Sequence, residues 1–256
     1  MILSVFDFET NGGPGASVLS ASSIVFDEAG HILGIFNRFY LPVERFDSFT
    51  ARIHGLTPGR LGALRIGARH YDYFVEDWIN LVYFWKDFGV DGVVAHNLSF
   101  DASFLPETAQ GAFLWWCSMK GLTHHCAIPK RPGNARIRGA SFKWPKLGEA
   151  VDVVCNGPRA LCPPSETERI EEALGGDFPH VSLFDCFELY RVLTRVVLNA
   201  KHLLRFAPSN IPFHGVRSRV VLKSHKPPEP DDFTESVKLY ERNLRSFIRQ
   251  TPQRTS

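Results

Sequence analysis

Apolar runs separated by turn residues dominate the first 41 positions of the chain. Residues 2–9 form an apolar run with alternating phenylalanines, and the turn sequence Thr-Asn-Gly-Gly-Pro-Gly follows it. Two further apolar runs cover residues 20–26 and 32–41, and Asp-Glu-Ala-Gly at 27–30 between them is a hairpin turn signal. The pattern predicts three strands that form an antiparallel meander.

The pattern then changes to helical spacing. Between residues 72 and 88 the apolar positions fall three or four apart, which predicts an amphipathic helix. A short buried strand is predicted at 92–95, followed by a helix from about Asp101. Three more helices are predicted, over 144–154, from 165 to the glycines at 175–176, and over 183–198. A meander followed by alternating helices and strands favours an α/β fold with a mixed sheet covered by helices.

The C-terminal part of the chain predicts a basic extension, 201–256, attached to a domain of residues 1–200. A proline-rich linker covers 226–230, and a helix is predicted over about 231–250. Apolar side chains form one stripe on that helix, and Lys and Arg form a neighbouring stripe. Three uses of the helix stay open: a homodimer contact, a contact with a protein partner, and docking on its own domain.

Charge is unevenly distributed along the 256 residues, although the net charge is only +2. Residues 200–256 hold eleven Lys/Arg and five Asp/Glu, which fits a polyanion or acidic partner and equally fits a solvated tail. The hydrophobic content of 44% is that of an ordinary globular protein. No apolar run approaches the roughly 20 residues that cross a membrane, and no basic region of a signal peptide precedes the first acid.

The five cysteines are odd in number and form no Cys-x-x-Cys pair. This usage is typical of reduced thiols, so the expected localisation is cytoplasmic. A structural zinc site from Cys117, Cys126 and one of His124 and His125 is a minor alternative, because the spacing matches no standard zinc finger.

Four acids and one histidine are the candidate chemistry. Asp7 and Glu9 are two apart on the first strand, so both side chains leave the same face. Two adjacent carboxylates repel each other unless a cation neutralises them, and oxygen ligands favour Mg²⁺ or Mn²⁺. Asp101 and Asp185 lie near predicted helix starts, and His180 precedes Asp185 in a glycine-containing segment. Each residue alone has a structural explanation, but together they fit a metal-dependent phosphodiester hydrolase.

The chain resembles the DnaQ-like 3′→5′ exonucleases of the DEDDh type over about residues 1–200. The motif D-x-E-T stands at 7–10, H-N-x-x-F-D at 96–101 and H-x-x-x-x-D at 180–185, and the subsidiary I-H-G-L-T stands at 53–57. All four occur in the order of the family. Asn11 departs from it, since a small hydroxyl residue often follows the first motif. The resemblance implies a ribonuclease H-like fold with a mixed five-stranded sheet flanked by helices.

By this resemblance, the four acids hold two Mg²⁺ or Mn²⁺ ions and are catalytic together with the general base, His180. The implied activity is hydrolysis of DNA, RNA or both from a free 3′ end, releasing nucleoside 5′-monophosphates. A proofreading or accessory subunit of a larger nucleic-acid-processing complex is the alternative, and a non-catalytic binding module is a remote one because no catalytic residue is missing.

The residues expected to contact the substrate fall into two groups. The resemblance implies that the terminal nucleotide meets Thr10, His54, Leu56, Asn97 and Phe104, although plain core packing is an alternative for Leu56 and Phe104. The basic segment 130–146 is expected to grip phosphates through Lys130, Arg131, Arg136, Arg138 and Lys143. Phe142 and Trp144 are candidates for stacking on bases, although the position of Trp144 beside Pro145 favours the core. The insertion at about 155–179 is expected to form a lid or an interaction surface.

Overall fold

A mixed β-sheet forms the centre of the computed structural model, which describes residues 1–130, 142–157 and 182–215. Its strands are β1 (Ile2–Thr10), β2 (Val18–Asp27), β3 (Ile32–Phe39), β4 (Gly92–Ala95), β5 (Leu114–Cys117) and β6 (Ala207–Pro208). They lie in the order β3-β2-β1-β4-β5-β6. The pairs β1–β4 and β4–β5 are parallel, and the other pairs are antiparallel. The predicted meander and mixed α/β class are confirmed.

The predicted count of five strands is wrong for the described residues. The sixth strand, β6, pairs antiparallel with the edge of β5, opposite Leu114 and Trp115. A two-residue edge strand has no apolar periodicity of its own, so the sequence pattern contains no signal for it. The carbonyl of Ile211 accepts from Gln110 Nε2 at 2.9 Å, which holds the chain after β6 against the domain.

Helices cover the sheet. They are α1 (Ser48–His54), α2 (Pro58–Leu64), α3 (Phe74–Asp87), α4 (Leu98–Asp101), α5 (Glu107–Gln110), α6 (Ser118–Gly121), α7 (Thr123–Cys126), α8 (Leu147–Val151) and α9 (Ser182–Asn199). Short 3₁₀ turns follow α4 (Ala102–Phe104) and α9 (Lys201–Leu203), and a π turn follows α8 (Asp152–Asn156). No helix among the described residues is both long and apolar enough to span a bilayer.

Two predicted helix starts are displaced. The helix predicted from Asp101 begins at Leu98, so Asp101 is the last residue of α4. The helix predicted from Trp144 begins at Leu147, because Lys146 is extended and its N–H donates to the Glu149 carboxylate at 2.8 Å. The proline at 145 therefore precedes the helix instead of lying in its first turn.

The two faces of the sheet carry different parts of the core. Phe6 and Phe8 point to the α3 face, where the Phe6 ring contacts Trp85 at a centroid distance of 5.4 Å. Leu3 and Val5 point to the opposite face and pack in the cluster that α9 covers. Side chains alternate along a strand, so the odd positions 7 and 9 also face α9. This alternation decides where the acids of β1 lie.

Several sequence predictions lie outside the described residues. These are the acidic helix from 165, most of the insertion 155–179, the linker 226–230 and the helix 231–250. The division into a 1–200 domain and a 201–256 extension stays a prediction, as do the three uses of the C-terminal helix.

Candidate metal and catalytic site

Three carboxylates meet where the end of β1 faces the start of α9. Asp7 and Glu9 project from β1 toward that helix, and Asp185 lies in the first turn of the helix. Asp7, Glu9 and Asp185 each offer one carboxylate oxygen, and these oxygens all lie within 4.8 Å of one another. The arrangement brings together three oxygen atoms that could bind a divalent cation, from two elements that are far apart in sequence.

The fourth acid, Asp101, lies beside β1, at the end of α4. Its side chain is 3% exposed, and its Oδ1 accepts from the backbone N–H of Phe8 at 3.3 Å. Phe8 stands between Asp7 and Glu9, so this bond fixes Asp101 to the strand that carries the first two acids. The Asp101 charge raises the pKa of both Asp7 and Glu9, which places it within electrostatic reach of the three-carboxylate group.

Without bound cations, burial and mutual repulsion both disfavour the ionised form of these acids. Burial, followed by the charges of Asp101, Asp185 and Glu9, holds the pKa of Asp7 well above its usual range. Burial and the charges of Asp185 and Asp101 raise the pKa of Glu9 to about 8. Burial raises the pKa of Asp101 to about 7. Bound divalent cations would offset both the burial and the mutual repulsion, and an all-carboxylate donor set suits Mg²⁺ or Mn²⁺.

Among the described residues, this is the one group of His, Cys, Asp and Glu side chains close enough to share a metal ion. The alternative zinc site is not formed there: Cys117, Cys126, His124 and His125 make no such group.

Asn11 departs from the family pattern after the first motif. In the structure it connects the end of β1 to the segment before α1 through hydrogen bonds. Its Nδ2 donates to Glu44 Oε1 at 2.8 Å and to the Arg45 carbonyl at 3.0 Å. Its Oδ1 accepts from the N–H of Asp47, the N-cap of α1, at 2.8 Å. An amide offers two donors and an acceptor in one plane, which a hydroxyl cannot supply. This network positions α1 beside the acids.

His54 at the end of α1 carries a buried donor. Its Nδ1 accepts from the N–H of Leu56 at 3.0 Å, so the proton of the neutral ring resides on Nε2. The side chain is 3% exposed; Nε2 makes no hydrogen bond of normal geometry among the described residues, although it lies close enough to the Thr10 backbone carbonyl for that carbonyl to favour its proton. Burial lowers the pKa of His54 by disfavouring the imidazolium. The neutral ring therefore directs a buried, weakly bonded N–H toward the end of β1, where a better-placed ligand oxygen could accept it.

The other residues expected to contact the terminal nucleotide differ from one another in burial and in their contacts. The Thr10 hydroxyl donates to the Gly12 carbonyl at 2.6 Å. Leu56 is fully buried in a small apolar cluster, and Phe104 is nearly buried and contacts the Phe8 ring edge-on. Asn97 is exposed at the start of α4.

The predicted phosphate-binding segment is described only at its two ends. A bridge between Pro129 and Phe142 brings these ends together. Lys130 is half-buried, and the Lys143 ammonium lies 2.5 Å and 2.7 Å from the two oxygens of the Glu149 carboxylate. The remaining predicted residues, Arg131, Arg136, Arg138 and the general base His180, lie outside the described residues.

Trp144 is a surface residue, so its interpretation as a core side chain is wrong. The side chain is 59% exposed, and the Lys120 ammonium lies 5.8 Å from the ring centroid. The following residue, Pro145, is buried, and its carbonyl lies 3.0 Å from His96 Nε2. His96 begins the second motif. The exposed ring therefore lies near the chain segment that leads to Asp101.

No family model matches the chain, and no curated protein matches it. Among solved structures, it is similar to Exonuclease X in complex with 5′-overhanging duplex DNA, at 21% identity and a TM-score of 0.49 over 78% of this chain and 93% of that one. It is also similar to a 3′-exonuclease that recognises the histone mRNA stem-loop, at 16% identity and a TM-score of 0.45 over 89% and 74%. A third similarity is to E. coli Exonuclease I in complex with a dT13 oligonucleotide, at 15% identity and a TM-score of 0.47 over 79% and 42%.

Proposed function

We propose that the protein is a metal-dependent 3′→5′ exonuclease that hydrolyses DNA, RNA or both from a free 3′ end and releases nucleoside 5′-monophosphates. The observation that carries this proposal is the convergence of Asp7, Glu9 and Asp185 within 4.8 Å, with Asp101 bonded to the same strand. Four carboxylates in one partly buried place are strongly unfavourable unless cations are bound there.

In this proposal the four acids hold two divalent cations. The donor set fits, because carboxylate oxygens are the preferred ligands of Mg²⁺ and Mn²⁺ and the site lies at the rim of the sheet. When bound, the cations neutralise the acids and stabilise the negative charge that develops on the reacting phosphodiester. The protein's own part is to fix the acids: β1 holds Asp7 and Glu9 in one backbone register, α4 holds Asp101, and α9 holds Asp185.

Two histidines have separate roles in this proposal. His180, five residues before Asp185, accepts a proton from the attacking water, because an imidazole with a pKa near 6.5 is an effective base at neutral pH. His54 contributes the buried Nε2–H as a donor to the terminal nucleotide. Since burial keeps His54 neutral, it orients the substrate and does not exchange protons with it.

The exposed surface around Trp144 suits a single strand. Trp144 offers an exposed ring for stacking on a base, and stacking tolerates any sequence. The described residues 118–130 and 142–149 carry four lysines and a single acid, Glu149. A phosphate backbone that enters along this face meets positive charge before its 3′ end reaches the acids.

A cleavage assay tests the proposal directly. The full-length protein is incubated with 5′-labelled and, separately, 3′-labelled single strands and duplexes of DNA and RNA, with Mg²⁺, Mn²⁺ or excess EDTA. Shortening of the 5′-labelled strand one nucleotide at a time, with early release of the 3′ label as a mononucleotide, supports it. Internal fragments at early times, or equal cleavage in EDTA, contradict it.

The two alternatives predict different outcomes in the same assay. A non-catalytic module binds the strands and leaves them intact with every metal. A proofreading or accessory subunit degrades them slowly when alone and prefers a mismatched 3′ end over a matched one.

A further inference from the structure

We propose that Ser182, held between Ser20 and Ser22, is a positioning residue that sets Asp185 against Asp7 and Glu9. The inference rests on the proposed function, since it concerns the same metal site. It is carried by a set of buried hydroxyl contacts that the proposed chemistry does not use.

The register of the sheet places these serines next to the acids. On β2, Ser22 is the direct partner of Asp7, and Ser20 is the direct partner of Glu9. Directly opposed side chains in an antiparallel pair leave the same face of the sheet. The two hydroxyls therefore stand beside the two carboxylates on the face that α9 covers, and both serines are fully buried.

The start of α9 is joined to both hydroxyls. Ser182, the first residue of the helix and also fully buried, has its Oγ 2.6 Å from Ser20 Oγ and 2.7 Å from Ser22 Oγ. Ser22 donates its own proton to Asn37 Oδ1 at 3.0 Å. Because each hydroxyl has one proton, Ser182 donates to Ser22, and Ser20 donates to Ser182. Each of these three serine hydroxyls thereby donates its proton to an acceptor.

A second contact holds the same turn. The Cys186 thiol, fully buried, donates to the Ser22 carbonyl at 3.2 Å. Ser182 precedes Asp185 by three residues and Cys186 follows it directly, so the helix is attached to β2 on both sides of the acid. The helix is thus attached to β2, whose residues Ser22 and Ser20 are the direct partners of Asp7 and Glu9.

These contacts hold α9 near β1 against the mutual repulsion of the acids. Three carboxylates whose oxygens lie within 4.8 Å of one another repel each other when ionised, which pushes the first turn of α9 away from β1. Leu183 packs there against the core, but apolar packing is not directional and does not define the distance between the acids. The hydroxyl chain does define it, because hydrogen bonds are directional and a buried hydroxyl that loses its partner is costly. Groups that hydrogen-bond the metal ligands themselves typically change metal affinity by about 10–100-fold, and these serines act one contact farther out, through the position of the helix that carries Asp185.

The test is Ser182→Ala in the full chain, with Ser4→Ala as the matched control. Ser4 is also fully buried, and its Oγ lies 2.6 Å from Ser23 Oγ across the same two strands, but it faces no acid. Mn²⁺ binding to the protein without nucleic acid is measured from the loss of the free-ion EPR signal. Melting temperature, KM and kcat are measured on the same samples.

Ser182→Ala is expected to weaken Mn²⁺ binding at least about tenfold and to lower kcat with little change in KM. Ser4→Ala is expected to lower the melting temperature while its Mn²⁺ affinity stays within about twofold of the wild type. Equal Mn²⁺ affinity in the two variants overturns the inference. If Ser182→Ala does not fold, Ser20→Ala and Ser22→Ala each remove one link, and wild-type Mn²⁺ affinity in both overturns it equally.

Failure of the inference differs from failure of the proposed function. Normal 3′-end cleavage by wild type together with unaltered Mn²⁺ binding in Ser182→Ala removes the positioning role alone. Weakened Mn²⁺ binding in Ser182→Ala, with no strand shortening by the wild type, supports the positioning role and removes the exonuclease.

Discussion

The backbone N–H of Phe8 donates to Oδ1 of Asp101 at 3.3 Å, although 93 positions separate the two residues. Phe8 buries its ring on the α3 face of the sheet while its backbone holds an acid for the site. One residue thus joins the core to the candidate metal centre. Its neighbours Asp7 and Glu9 point to the other face, so the strand presents two acids and fixes a third.

Replacement of Asp101 separates its charge from its hydrogen bond. Asp101→Asn keeps an oxygen acceptor for the Phe8 N–H and removes the charge, so we expect a folded protein with weakened Mn²⁺ binding. Asp101→Ala leaves a buried N–H without its partner, at a cost of about 1–3 kcal/mol. Urea unfolding in EDTA checks the pair. Equal stability of the two variants would show that the Phe8 bond contributes nothing.

Stability without metal is expected to fall as pH rises. The folded-state pKa of Glu9 is raised to about 8 and that of Asp101 to about 7, whereas the usual values are 4.5 and 3.8. Between about pH 4 and pH 8 the folded protein therefore binds more protons than the unfolded chain, and the free energy of unfolding decreases with pH. Melting curves in EDTA at pH 6 and pH 8 measure this loss.

Glu9→Gln is the control for that pH dependence. It removes one repelling charge, so at pH 8 in EDTA we expect a higher melting temperature than in the wild type, by about 2–4 °C for each kcal/mol gained. The rise in melting temperature that Mn²⁺ gives the wild type is expected to shrink. An unchanged pH dependence in Glu9→Gln contradicts the electrostatic account of the site.

The weakly bonded Nε2–H of His54 predicts a loss of activity with little loss of stability when that donor is removed. His54→Asn retains an acceptor near the Leu56 N–H and removes the Nε2–H. We expect the cleavage rate of the folded protein to fall about tenfold, because one lost hydrogen bond to the substrate costs about 1.5 kcal/mol. His54→Gln, whose amide extends to the Nε2 position, is expected to retain more activity. Initial rates on a 5′-labelled strand compare them, and wild-type rates in His54→Asn would remove His54 from the substrate site.

The exposed ring of Trp144 predicts tighter binding of single strands than of blunt duplexes. Trp144→Ala is expected to weaken single-strand binding about tenfold, because stacking on one base contributes about 1–3 kcal/mol. Trp144→Phe keeps a ring and is expected to fall between Ala and the wild type. Tyr83→Ala removes another exposed aromatic side chain, 50% exposed on α3, and serves as control. Fluorescence anisotropy in EDTA checks this, and an equal loss in Tyr83→Ala would contradict a specific role.

The sequence predicted the strands and helices with strong periodicity, and it placed Asp7 and Glu9 on one face from the two-residue repeat of β1. It could not predict β6, because pairing in space and not local pattern creates that strand. It assigned Trp144 to the core because Pro145 follows it, whereas only the proline is buried. The serines opposite the acids were overlooked, although their spacing on a buried strand was a visible signal: Ser20 and Ser22 are two apart, as Asp7 and Glu9 are.

The most direct test of the central claim is the rate at which the full-length protein shortens a 5′-labelled single strand in Mg²⁺, compared with Asp7→Asn and Asp185→Asn. With wild type we expect a ladder that recedes from the 3′ end. In both variants, whose folded state is verified by circular dichroism, we expect rates lower by about a thousandfold or more. Wild-type rates in a folded Asp7→Asn variant would contradict the account.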